Sequence, residues 1–237
     1  MAEPYLVCPA NWLKGTLAPD RSQDLITKVE SGGTPSTTNE EYWDGTIPWL
    51  TPKEITRFSE NVFVSRTERM ISEKGLKESA AKLLLPGTVM LSKRAPVGPV
   101  AVNAIPMATN QGFLNFTCGP LLRPLYLAYW LRANTPYLHL VANGSTYPEL
   151  YAGDLFEFEI SVPPLDLQDQ IIELLSAVQF VTAVGLPLEQ SVTTPESLFL
   201  MQQQNRRLVS LRDSILPLLV SGELDVSKVS SRFARAL

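Results

Sequence analysis

The feature that most constrains the fold is a change of pattern at Pro163-Pro164. Before it, the chain is rich in Gly, Pro and aromatic residues and reads as short strands joined by turns. After it, Gln, Leu and charged residues dominate and the apolar period becomes helical. A chain of this kind divides into a globular part, 1–165, and a helical part, 166–237. The expected class is mixed α/β: a twisted mixed sheet with short helices, followed by a long helical spacer that forms an antiparallel coiled coil with a partner.

Within the first part, Thr88–Ser92 and Val100–Asn103 are short β-type runs flanking the turn Arg94–Pro99, and Phe113–Thr117 is a third run. Phe156, Phe158, Ile160 and Val162 alternate with Glu157, Glu159 and Ser161, which predicts a strand over Phe156–Val162. Pro124–Ala133 is apolar nearly all round and opens with proline, the pattern of a buried helix. Ser72–Ala81 is a short helix capped by Ser72.

In the second part, the proline pair ends the strand. Asp166 is positioned to cap a helix running to about Phe180. Gly185, Pro187 and Pro195 interrupt the pattern, and a second helix is expected from Glu196 to Leu216. Met201, Leu208, Leu211, Ile215 and Leu218 form a narrow seam along it, suited to dimerisation through an antiparallel helix partner. Pro217 ends or kinks this helix. A helix that simply covers its own sheet is the alternative.

Composition excludes several kinds of chemistry. Hydrophobic residues make up 45% of the 237, enough for a core without crosslinks. Two cysteines, Cys8 and Cys118, are too few for a disulfide framework or a structural zinc site. His139 is the only histidine and is expected to pack in a helix rather than act as a base. The chain has no Gly-x-Gly element, no phosphate-binding Gly-x-x-x-x-Gly-Lys loop and no Gly-x-Ser-x-Gly elbow. Val162-Pro163-Pro164-Leu165 lacks the polar and aromatic residues that an amino-methyltransferase motif requires. No catalytic residues, bound metal or bound cofactor are therefore expected. With no signal-like or membrane-spanning apolar run, a cytoplasmic protein is expected.

The net charge of −4 argues against a self-sufficient nucleic-acid binder. Its distribution is uneven: residues 51–100 carry nine of the 20 Lys and Arg and are net positive, while the rest is net negative. Several loops are rich in donors and small residues. Ser31–Thr37, with Gly33 and Thr34, combines backbone N–H groups with hydroxyls, and such a loop can approach a phosphate. Lys53, Arg57, Lys93 and Arg94 place cations beside turns, where they can neutralise phosphates or bond a guanine edge. Thr109, Asn110 and Gln111 offer groups that can pair with an adenine edge, and Ser145, Thr146 and Tyr147 add hydroxyls and an aromatic ring. Together, with no catalytic set, these loops suggest a DNA-recognition surface. A protein–protein adaptor and the DNA-binding part of a single-chain nuclease or methyltransferase are the alternatives.

Many of these strings, in register, resemble the target recognition domain of type I restriction–modification specificity subunits. They are Gly32–Thr37, Tyr42–Lys53, Ile71–Leu76, Ser79–Leu84, Pro86–Gly98 and Ala108–Phe113. Pro163-Pro164-Leu165 with Gln170, and Leu211–Leu224, resemble the two ends of the family's spacer helix. The resemblance covers roughly residues 9–225. It implies a non-catalytic domain that reads one half of a bipartite target in double-stranded DNA. It also implies a methyltransferase subunit, which would bring S-adenosylmethionine, and a translocase–nuclease restriction subunit as further partners.

Two departures from the family pattern stand out. Specificity subunits typically carry two recognition domains and two spacers, and this sequence shows one of each, which implies pairing with a second copy or another half-subunit. The Gly185–Pro195 interruption falls where the family keeps one long helix. Glu196–Leu216 as a helix would span roughly 30 Å at about 1.5 Å per residue, against a DNA turn of about 34 Å.

Overall fold

The computed structural model describes residues 12–21, 24–57, 62–94, 96–144, 148–184, 210 and 213–224. The chain divides into two compact units. One is Lys14–Val162, and the other combines Met1–Leu13 with Pro163–Leu237.

Ten short strands and five helical segments of more than one 3-10 turn build the described part of the first unit. The larger sheet has five strands in the order β2-β9-β6-β7-β4: Ile26–Ser31, Phe113–Cys118, Val89–Lys93, Val97–Asn103 and Phe63–Val64. Its pairs are antiparallel except β7 with β4, so the sheet is mixed as expected. A three-stranded sheet has the order β5-β3-β8: Arg69–Ile71, Ile47–Leu50 and Ala108–Thr109. Two further strands, β1 (Leu13–Thr16) and β10 (Glu159–Val162), pair with each other.

The three runs read from the sequence fall in strands β6, β7 and β9, paired as neighbours, but β7 begins at Val97, so Val97–Pro99 are strand and not part of the expected Arg94–Pro99 turn, and Thr88 precedes β6. Helix α3, Pro124–Ala133, has the expected bounds, and Tyr126–Leu131 are all buried. It packs on β7 and β6, as the all-round apolar pattern requires. One core cluster unites the two larger sheets through Leu50, Ile55, Val64, Leu84, Met90, Ala101, Met107 and Phe113. A second gathers Ile47, Trp49, Ile71, Ala81 and Ala108, with Trp43 and Leu76 against it.

Buried polar groups tie the connections together. Asn103 accepts from the Thr88 N–H and donates to the carbonyls of Leu84, Leu85 and Ile105, so one amide holds two turns at the sheet end. Cys118 carries a free thiol that burial pushes up to about 12, the behaviour of a packed side chain rather than a nucleophile.

Several local expectations are corrected. Ser72 caps helix α2 by accepting from the Gly75 N–H, but the helix spans only Glu73–Lys77. The alternation at 156–162 is real from Phe158 onward, yet Phe156 closes a short helix, α5 (Ala152–Phe156), and the strand starts at Glu159. The Asp154 carboxylate, accepting from the Tyr151 N–H, sets that helix. His139 lies in α4, Thr135–Val141, but is exposed, and the neighbouring Leu138 takes the buried position instead.

In the second unit, helix α6 covers Leu165–Val184. Asp166 is inside its first turn rather than capping it. The Pro164 carbonyl receives the N–H groups of Leu167 and Gln168, while the buried Gln168 amide donates to the Pro163 carbonyl. Its apolar residues Ile171 and Leu175 are buried. Residues 213–221 are helical, and Pro217 therefore does not end that helix. Of the expected seam, Met201, Leu208 and Leu211 lie outside the described residues. Ile215 is half-buried and Leu218 exposed, whereas Leu216, Leu219 and Val220 are buried. Among the described residues, no helix is long and apolar enough to cross a membrane.

Candidate nucleic-acid interface

Segments far apart in sequence converge at one end of the three-stranded sheet. Strand β3 leaves that sheet into Thr51-Pro52-Lys53, and the parallel β8 leaves it into Asn110-Gln111. The Asn110 N–H donates to the Leu50 carbonyl at 3.1 Å, which holds the two exits side by side. Gly112 packs so closely on Pro52 that an added Cβ would lie 2.7 Å from its ring. The Gly112 carbonyl accepts from the Lys93 N–H at 2.9 Å, and the Lys93 carbonyl accepts from the Leu150 N–H at 2.9 Å. The 31–37, 51–57, 92–94, 109–112 and 149–151 segments thus form one continuous surface within the first unit.

The Gly32-Gly33 pair serves this convergence by close packing. A Cβ on Gly32 would lie 2.1 Å from the Thr109 carbonyl oxygen, and one on Gly33 would lie 2.3 Å from the Ala80 carbonyl carbon. No residue with a side chain fits either position without backbone movement. The Gly33 N–H donates to the Thr109 carbonyl at 2.9 Å. Two indoles hold the rest of the loop: Trp49 Nε1 donates to the Gly33 carbonyl and Trp43 Nε1 to the Ser36 carbonyl. The rings meet edge to face with centroids 5.0 Å apart.

This geometry sorts the residues singled out in the sequence. Thr34, Lys53 and Gln111 are exposed, and the Thr34 hydroxyl donates to Gln111 Oε1 at 2.5 Å. Gly33 and Thr109 are corrections as surface contacts, because both are buried. The Gly33 N–H is spent on Thr109, and the Thr109 hydroxyl accepts from Asn115 Nδ2 at 2.9 Å. Asn110 is half-buried, with Oδ1 accepting from the Gly112 N–H, so much of its amide shapes the turn. Arg57 is exposed and ion-paired with Glu68. Lys93 and Arg94 share Glu149: Lys93 Nζ is 3.0 Å and Arg94 Nη1 3.9 Å from its carboxylate. Ser145, Thr146 and Tyr147 lie outside the described residues, between Asn143 and Glu149, which bond to each other through their backbones.

A second charged knot lies beside the glycine loop. Burial alone would raise the Glu30 carboxyl, but the Lys28 and Lys82 ammoniums, 2.8 and 3.2 Å away, outweigh it and hold the carboxyl below its ordinary value. Among the described residues, no group of His, Cys, Asp and Glu side chains is arranged to hold a metal ion.

Residues 21–183 match the family model described as the type I restriction modification DNA specificity domain. The chain belongs to that family. Among curated relatives of this specificity-domain chain, the type I restriction enzyme MjaIX specificity subunit of Methanocaldococcus jannaschii is 41% identical over 153 residues, covering 64% of this chain and 35% of the relative. The EcoR124I/EcoR124II specificity subunit of Escherichia coli is 28% identical over 174 residues, covering 69% and 42%. The fold is shared with the HsdS subunit from Thermoanaerobacter tengcongensis, at a TM-score of 0.56 and 20% identity, covering 94% of this chain and 48% of that one. A chain from a study of type I R-M system assembly and conformational transition gives a TM-score of 0.60 at 21% identity, covering 94% and 49%. The chain spans less than half the length of each of these relatives.

Three features of the specificity-domain surface escaped the sequence reading. Thr51-Pro52-Lys53-Glu54 reads as a turn but opens helix α1, Pro52–Arg57. The Glu54 carboxylate is buried and accepts from the Thr51 N–H and hydroxyl and from the Glu68 N–H. The Thr-x-x-Glu spacing of a capping box carried that signal. Glu149 was not singled out, because its cations lie 55 and 56 positions earlier in the chain. Arg69, whose guanidinium lies 3.5 Å from the centroid of the Trp43 ring, was also missed.

Proposed function

We propose that this chain reads one half of a bipartite sequence in double-stranded DNA for a type I restriction–modification complex. A methyltransferase subunit docks on it and supplies the S-adenosylmethionine chemistry, and a translocase–nuclease subunit joins the same assembly. The chain itself positions DNA without catalysis. The observation that carries this reading is the convergence of five loops, bearing cations, amides and hydroxyls, on one surface of a family member. Lys53 and the exposed, mutually bonded Thr34–Gln111 pair face the duplex, and Lys93 and Arg94 meet its phosphates once Glu149 yields them. The second half of the reader comes from another copy of this chain or another half-subunit, paired through the helical part along the Met201–Leu218 seam. A C2 pair reads an inverted repeat. The complex works in the cytoplasm.

Methylome sequencing of cells with and without the gene tests this reading. The expected result is loss of one split methylated motif on deletion and its return on complementation. An unchanged methylome in cells that produce the companion methyltransferase overturns it.

A further inference from the structure

Arg69 starts strand β5, which runs antiparallel to β3. It lies directly across from Trp49, which in turn lies across from Ala108 on the parallel strand β8. Arg69 therefore stands at the end of the sheet from which Thr51–Lys53 and Asn110–Gln111 emerge. Its guanidinium carbon is 3.5 Å from the centroid of the Trp43 ring and 5.5 Å from that of Trp49. Those rings also carry the 33–36 loop through their indole N–H groups.

What sets Arg69 apart from the exposed cations around it is that it is held by a ring and not by a carboxylate. The Arg57, Lys74, Lys93 and Arg94 cations each have a carboxylate partner, respectively Glu68, Glu41, Glu149 and Glu149. Arg69 is exposed and, among the described residues, faces no carboxylate within ion-pair distance. Stacking on an indole fixes the plane of the guanidinium without consuming its in-plane N–H donors. A long side chain that normally loses much rotamer freedom on binding is thereby held in advance.

We propose that Arg69 is a built-in reader of a planar pair of acceptors on DNA, either the O6/N7 edge of a guanine or two oxygens of one phosphate. Trp43 serves as its positioning platform. The inference rests on the DNA-reading function proposed above and adds a specificity residue to it. The rigid fork suits two parallel hydrogen bonds, which a lysine cannot reproduce.

The test uses the full-length chain in complex with its methyltransferase subunit and the duplex defined by the methylome. Affinity is measured by fluorescence anisotropy across a salt series for wild type, R69K, R69Q and R69A, with thermal melts alongside. The expected result is a loss of roughly tenfold or more in R69A and R69Q, with R69K failing to restore wild-type affinity. If the acceptor is a guanine, replacing that base by 7-deazaguanine weakens wild-type binding and leaves R69Q unchanged. If it is a phosphate, the loss is uniform across sequences and the salt slope falls by about one. Wild-type affinity in R69K or R69Q overturns the inference while leaving the DNA-reading function standing. A wild-type complex that prefers no duplex overturns both. Should R69A fail to fold, R69K, which keeps most of the side chain's length, and R69Q, which keeps its first three carbons, decide the matter.

Discussion

The glycine loop at 31–37 and the Lys93-Arg94 turn reach the same surface by different physics. The first is held by backbone close approach and by indole hydrogen bonds: Gly32 and Gly33 against Thr109 and Ala80, and Trp49 and Trp43 from beneath. These contacts are short-ranged and nearly indifferent to ionic strength. The second has backbone support on both sides, but its cations are balanced by one carboxylate, Glu149. Salt screens the more exposed Arg94 end of that balance and the more buried Lys93–Glu149 pair less, and an incoming polyanion competes with the carboxylate for both cations. One side of the surface is thus a frame, and the other is a set of charges ready for exchange.

The sharpest way to break this contrast is Gly33→Ala. Its methyl group would meet the Ala80 backbone at 2.3 Å. We expect a loss of about 3 kcal/mol, or a melting temperature lower by roughly 6–12 °C, at low and high salt alike. A melting temperature equal to wild type would show that the loop is not framed by packing. Trp49→Phe keeps most of the ring but leaves the Gly33 carbonyl without its donor. A loss of about 1–3 kcal/mol is expected, measured by chemical denaturation.

The charged side should behave in the opposite manner. Lys93→Ala and Arg94→Ala should each weaken DNA binding in the assembled complex, on the order of tenfold at low salt, with the melting temperature nearly unchanged. Unaltered affinity at several salt concentrations would remove both residues from the interface. Glu149→Gln should raise affinity for any duplex, by roughly two- to fivefold at low salt, and the gain should vanish at high salt. Lower affinity would instead make Glu149 a positioning residue for the cations.

The smallest effect concerns Glu30, an ion-paired exception beside the frame. Because its carboxyl is held below the ordinary value, the unfolded chain takes up the proton first as pH falls. Its contribution to stability is present above about pH 4.3, the unfolded value, and is lost as pH drops through the folded value. Glu30→Gln should flatten that acid limb, as followed by melting temperature between pH 3 and 6.

The parts legible in the sequence are those whose signal is local. Pro124 opening an all-apolar run gives helix α3 its bounds, and alternating or β-branched runs around Gly98 give β6 and β7. The three-stranded sheet was illegible because β5 and β8 have three and two residues, too few for a period, and every residue of β3 is buried. Phe156 joined the wrong element because its alternation with Phe158 continues across a helix end, where the Tyr151–Asp154 contact decides the backbone. The site divides in the same way. Cations and amides could be found by type, but their pairing with Glu149 or burial against Asn115 depends on contacts distant in sequence.

The buried bond between Gly33 and Thr109 has a consequence for how the proposed DNA surface diversifies. The residues that fix the loops lie beneath the surface, while Thr34, Lys53 and Gln111 lie above it. A library varying only those three positions would change the presented alphabet and leave the typeface intact. On the proposed DNA-reading function, a new target calls for exchanges at such exposed positions, Arg69 among them, each near neutral for folding.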